Sequence, residues 1–165
     1  MCEPVSILAN VGAIVELVKF AHGFAKDIDS FTHLQPDQEL IELASEVRNF
    51  GSACDVVHER LEAIGKLSSV TGAPSRAEPL LEPTLTACLE ETIVDCYRTM
   101  KQLKSEFETI QGRRFRWDKT VRLLRRRNAI SDIRRRLHSH VLALQLVLQS
   151  ISMYALRFVY LRSIA

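Results

Sequence analysis

The side chains able to do chemistry are present in this chain but poorly spaced for it. His138 and His140 are two residues apart, and on a helix that separation turns them to different faces, which makes a poor metal pair. His58-Glu59 lacks the spacing of a metalloprotease helix, and the carboxylate pairs Glu90-Glu91 and Asp27/Asp29 read as solvated surface. Gly72-Ala73-Pro74-Ser75 lies in a linker and lacks the G-x-x-x-x-G-K-[ST] pattern that would cradle phosphates. The four cysteines, Cys2, Cys54, Cys88 and Cys96, show no C-x-x-C and no zinc-finger spacing. Three of them fall on apolar helical faces, which points to reduced, buried thiols in an intracellular protein. No catalytic, cofactor-binding or metal-binding residue is assigned, and the chain is not expected to be an enzyme.

Charge offers a different chemistry. The net charge is +2, yet residues 1–97 carry 6 Lys/Arg against 16 Asp/Glu, and residues 98–165 carry 16 against 4. The densest part, 113–136, holds Arg113, Arg114, Arg116, Lys119, Arg122, Arg125, Arg126, Arg127, Arg134, Arg135 and Arg136, with only Asp118 and Asp132 to oppose them. Such a block suits an anionic partner: phospholipid, nucleic acid or an acidic protein surface. The competing account is internal, because antiparallel helices of opposite charge are a common way to fix a bundle.

The first thirty residues carry the second functional signal. Ile7, Ile14, Leu17, Val18, Ala21, Phe24, Ala25 and Ile28 form one helical stripe, with Glu16, Lys19, Lys26 and Asp27 opposite. In the first turns the outer face holds Leu8, Ala9, Gly12 and Val15 instead of charges. A helix apolar all round is normally buried or bound to something. Leu8 and Val15 are therefore either an active tip or covered by the C-terminal tail, where Tyr154, Phe158, Tyr160 and Leu161 make another apolar surface; Gly12 serves the tip or close helix packing.

These residues need elements to hold them, and the periodicity is helical throughout. Pro4 suits the first turn of a helix running to about Phe31, before His33-Leu34-Gln35-Pro36. Asp37 reads as the N-cap of a second helix with the stripe Leu40, Leu43, Ala44, Val47, Phe50, Cys54, Val57, Leu61, Ile64. Residues 68–79 are a loop by composition. A third helix starts near Leu81 and shows Leu85, Leu89, Ile93, Cys96, Met100, Leu103, Phe107 and Ile110, ending at Gln111-Gly112. A short helix over 118–126, anchored by Trp117, precedes a last one that begins near Asn128 and carries Ile130, Ile133, Leu137, Val141, Leu144, Leu148 and Ile151. No segment alternates with period two for long enough to make a strand. The fold expected is all-α, a bundle of four to five helices in a single domain over residues 1–165.

Two stretches bear on membranes. Residues 4–15 are uncharged but fall short of the roughly 20 residues a span needs. Residues 137–156 reach that length without a charge, yet include His138, His140, Gln145 and Gln149 and keep a periodic stripe, so they read as a buried core helix and no permanent span is expected. The N-terminus lacks the basic n-region of a secretory signal.

Glu3-Pro4-Val5-Ser6-Ile7 resembles the "(D/E)-P-(L/V)-S-I" start of the N-terminal domains of fungal NLR-like STAND proteins, including the HeLo-like group. Leu40-Ile41-Glu42-Leu43-Ala44-Ser45-Glu46-Val47 resembles their second helix. Trp117, a basic run and Leu137-His138-Ser139-His140-Val141-Leu142-Ala143-Leu144-Gln145-Leu146 resemble their closing segment. The chain carries no nucleotide-binding domain, repeat array or amyloid-type tail and looks like the effector domain alone.

The resemblance implies a bundle that carries the output of a linked sensor: regulated cell death in immunity or heterokaryon incompatibility, by oligomerising and inserting the first helix into the plasma membrane. On that account the domain is cytoplasmic until recruited. Val5, Leu8, Ala9, Gly12 and Val15 are its membrane or oligomer tip. Arg113, Arg114, Arg116, Lys119, Arg122, Arg125, Arg126 and Arg127 hold anionic headgroups at roughly 1 kcal/mol each. The alternative is a non-lytic adaptor or oligomerisation module of the same family. Expected partners are other copies of the chain, an anionic membrane surface and an NLR-like sensor, upstream or covalently linked. Nucleic acid is the weakest, since only Phe115 and Trp117 interrupt the basic run. No cofactor is expected.

Overall fold

The computed structural model describes residues 5–34, 36–70, 83–111 and 116–164, and in them the chain is four helices: α1 (Val5–Leu34), α2 (Gln38–Val70), α3 (Pro83–Gln111) and α4 (Arg116–Ile164). The all-α bundle is thus observed, at the lower of the two helix counts. Pro83 occupies the first position of α3, where a missing N–H costs nothing. Asp37 caps α2: its Oδ1 accepts from the backbone N–H of Glu39 at 2.9 Å and of Leu40 at 3.4 Å. Helix α1 extends to Leu34, past the expected end, and α2 continues through Val70, so residues 68–70 are helix where a loop was expected.

The larger correction concerns α4. The short helix over 118–126 and the helix expected from Asn128 are one continuous element of 49 residues. The apparent break has a physical cause in the register. Arg134 of α4 stands beside Glu42 and Glu46 of α2, and Arg136 and His140 beside Gln102 and Thr99 of α3. These pairs bring the first residue of α2 and the last of α3 level with about residue 128 of α4. Hydrophobic periodicity fades before 128 because the neighbouring helices stop there, while the helix itself goes on.

Among the described residues each helix touches two neighbours: α1 packs on α2 and α3, and α4 packs on α2 and α3. The order around the bundle is therefore α1, α2, α4, α3, with α1 and α4 on one diagonal. Asp29 pairs with Arg48 and His22 with Asp55, so α1 and α2 run antiparallel. Rings of α1 and α3 meet in ascending order, Phe20 with Tyr97 and then Phe31 with Phe107, so those two run parallel. Gly51 lets α2 approach α1 closely; a Cβ there would stand 3.3 Å from Cβ of Ala21.

The stripes read from the sequence form the core. Ile14, Leu17, Ala21, Phe24, Ala25 and Ile28 from α1 meet Leu40, Leu43, Ala44, Val47, Phe50, Cys54, Val57 and Leu61 from α2. Leu89, Ile93, Cys96, Met100, Leu103 and Phe107 of α3 and Ile130, Ile133, Leu137, Leu144 and Ile151 of α4 close it, with Val147 added. Phe107 is the aromatic hub, edge-on to Phe24 and to Phe31 with centroids 5.6 Å away in both pairs.

Candidate interaction surface

The expected tip of α1 divides on inspection. Val5, Leu8 and Ala9 lie in its first helical turns, and their side chains lie outside the described residues. Val15 is half-buried, and Val11 beside it packs against the core. Gly12 is exposed and a Cβ there would meet nothing within 4 Å, so close helix packing is not its role. Among the described residues α1 and α4 stand on diagonal corners without contact, and Tyr154, Phe158 and Leu161 of the C-terminal tail, the expected cover, have side chains outside the described residues. From Asn10 onward α1 is an ordinary bundle helix. Asn10 itself is buried and donates through Nδ2 to Glu90 of α3 at 3.5 Å.

The basic block behaves in two ways. Arg134 is taken up internally: Nε donates to Glu46 Oε2 at 3.0 Å, and one terminal nitrogen donates to Glu46 at 2.7 Å and to Glu42 at 3.2 Å. The hydrogen bonds to Glu46, foremost, hold the guanidinium above its usual range. Hydrogen bonds from Gln38 and then Arg134 hold the Glu42 carboxyl below the carboxylate range. To that extent the internal account of the basic run holds. Arg135 and Arg136 stay exposed, the first 3.8 Å from Asp132 on its own helix. Arg113 and Arg114 lie outside the described residues. Arg116, Lys119, Arg122, Arg125, Arg126 and Arg127, with Trp117, sit in the first turns of α4, and their side chains lie outside the described residues.

The two expected site groups are not brought together. Through Asn10 and Glu90, the start of α1 is level with the N-terminal turns of α3 and the C-terminal half of α4. Residues 116–127 are at the other end. At 1.5 Å per residue, Val5 and residue 127 are about 40 Å apart along the bundle, more than a 30 Å hydrocarbon core.

What the bundle exposes instead is the outer face of α4. Leu142 is 48%, Leu146 62%, Met153 69%, Leu156 66% and Tyr160 66% exposed. With 100° per residue these five fall within an 80° arc, and the arc is opposite the buried Leu137, Leu144 and Ile151. The expectation of a buried core helix over 137–156 is corrected: one face is core, and the other, equally apolar, meets water. Beside the stripe runs an open groove lined by Leu85, Cys88, Met153, Leu156, Arg157 and Tyr160. The spacing was visible in the sequence, but a second apolar stripe on the same helix hid it.

Other chemistry is sparse. Among the described residues no cluster of His, Cys, Asp and Glu is arranged to hold a metal, and no helix is long and apolar enough to cross a membrane. His138 is exposed, and His140 shares a 2.8 Å hydrogen bond with buried Thr99. Burial, first, holds the His140 imidazole below its usual range, with Asp95 opposing and Arg136 adding to the effect. Cys54 and Cys96 are buried as expected, and burial pushes both thiols up, Cys96 to about 12. Cys88 departs from that expectation and is exposed in the groove.

The chain matches no protein-family model, no curated protein and no solved structure.

Proposed function

We propose that this chain is an interaction domain that works by docking helices against the outer face of α4, the adaptor or oligomerisation role within the fungal NLR-like effector family that its sequence resembles. One observation carries the reading. Five large apolar side chains stand in water on a single line of α4, and the four from Leu142 to Leu156 have no charge between them. A soluble bundle leaves such a patch open when another surface is meant to cover it. The patch is narrow and helical, which fits a helix better than a bilayer or a small ligand.

The membrane-inserting effector is the second reading. It draws support from the apolar residues that open α1 and from the basic turns of α4. Its demand is that α1 leave the bundle, since the two groups sit at opposite ends and cannot meet one membrane face together.

The test uses the whole purified chain, with Met153→Glu and Leu8→Glu as variants. Light scattering follows mass against concentration, and dye release follows leakage from anionic and neutral vesicles. The expected result is concentration-dependent assembly in the wild type and in Leu8→Glu, its loss in Met153→Glu, and no leakage. A monomer that empties anionic vesicles, and loses that ability in Leu8→Glu, would overturn the proposal in favour of the membrane effector.

A further inference from the structure

We infer that α4 pairs with α4 of a second copy of this chain, parallel and in register, through a coiled-coil seam of Leu142, Leu146, Gln149, Met153, Leu156 and Tyr160. The inference rests on the reading of the outer face of α4 as an assembly surface and names its occupant.

The spacing along the seam is four, three, four, three, four, the alternation of heptad a and d positions. A strict a/d line is narrower than the stripe that buries a helix in a globular core, and it is the pattern that meets a single partner helix. All six residues are exposed, and their positions run for about 27 Å of helix at 1.5 Å per residue. The core-facing Leu137, Leu144 and Ile151 fall at the f position of the same heptads, on the far side of the helix from the seam. One helix can therefore serve the bundle and a partner at once.

Four features select a second copy. The stretch 137–156 has no Asp, Glu, Lys or Arg, so self-pairing brings no like charges together along it. The flanking Ala143, Gln145, Ser150 and Ser152 are uncharged and mostly small, which lets two backbones approach, and the one charge beside the seam, Arg157 at an e position, falls level with Ser152 of the other copy in a parallel pair and not with its own counterpart. Gln149 stands at a d position inside the seam. A parallel in-register pair sets it against its own counterpart, where each side-chain amide can donate to the other, whereas an antiparallel pair centred on the seam sets it against Met153 and leaves it unpaired. The five apolar residues expose on the order of 600 Å², so two copies can remove at most about 1,200 Å² from water through them, the lower edge of the range for specific interfaces. Three heptads are marginal as free peptides, but here the bundle has already ordered the helix.

The consequence is directional. A parallel pair places both basic turns, 116–127, at one end of the dimer and both starts of α1 at the other. An anionic surface or partner then meets a doubled positive block.

The test is cysteine cross-linking in a Cys2→Ser, Cys88→Ser background, which leaves only the buried Cys54 and Cys96. Gln149→Cys is expected to give a covalent dimer under mild oxidation, and a mixture of Gln149→Cys with Met153→Cys chains to give no mixed product. Met153→Glu is expected to raise the dissociation constant by at least about tenfold while helical circular dichroism is unchanged. A mixed product without dimerisation of Gln149→Cys alone overturns the parallel register and leaves the assembly surface standing. Assembly that survives Met153→Glu, or a wild type that stays monomeric, overturns the assembly surface itself.

Discussion

Arg134 offers the sharpest test of how this bundle is held, because one side chain ties α4 to α2 through three hydrogen bonds. Its side chain is 23% exposed and that of Glu46 36%, so the pair is only partly screened by solvent. Two bonds run to Glu46 in the forked geometry that suits a guanidinium and a carboxylate. A fully exposed pair contributes about 0.2–1 kcal/mol; the fork and the partial burial place this one at the upper end, about 1 kcal/mol. The perturbations are Arg134→Met, Glu46→Gln and the double variant. Methionine keeps most of the apolar stem and the helix propensity, and glutamine keeps the shape, so the cycle reports the interaction and little else. Urea unfolding is the assay, in a Met153→Glu background so that association does not move the midpoint. With a slope of about 2 kcal/mol per molar urea, the coupling appears as non-additivity of about 0.5 M among the midpoints. Agreement of the double variant with the sum of the singles, to within about 0.3 kcal/mol, would refute the idea that this contact joins α4 to α2.

Three further expectations follow from local geometry. Gly12→Ala should stabilise the chain by about 0.5–1 kcal/mol in urea unfolding, because Gly12 is helical and has open space around it, whereas Gly51→Ala should fail to stabilise since its Cβ would crowd Ala21. A soluble thiol reagent should modify Cys88 in the folded chain within minutes and reach Cys54 and Cys96 only at the rate of unfolding, as tryptic mapping of the labelled protein will report. His140 should make stability fall with acidity: its folded pKa lies below the unfolded value of about 6.5, so between those two values the unfolded chain takes up the proton first. Urea midpoints measured from pH 7.5 down to 5.5 should therefore drop more steeply in the wild type than in His140→Gln, and equal slopes would rule out the burial of that ring as the cause.

The sequence alone decided what is local. The stripes of α1, α2 and α3 repeat at helical spacing with charges between them, so each core face follows from the residues without knowledge of neighbours. The Asp37 cap obeys a rule confined to a single turn. Three things belonged to tertiary structure. On α4, Leu137, Leu144 and Ile151 and the opposed Leu142, Leu146 and Met153 are equally apolar, and only the position of α2 and α3 determined which set meets water. The length of α4 is not legible in its periodicity, which reports where neighbours are, and they end near residue 128 although the helix does not. The separation of the first turns of α1 from the basic turns of α4 depends on helix order and direction, long-range properties that no window along the chain contains. Hydrophobic periodicity says that a helix has a face to bury; packing decides which face, against what, and which face is left for a partner.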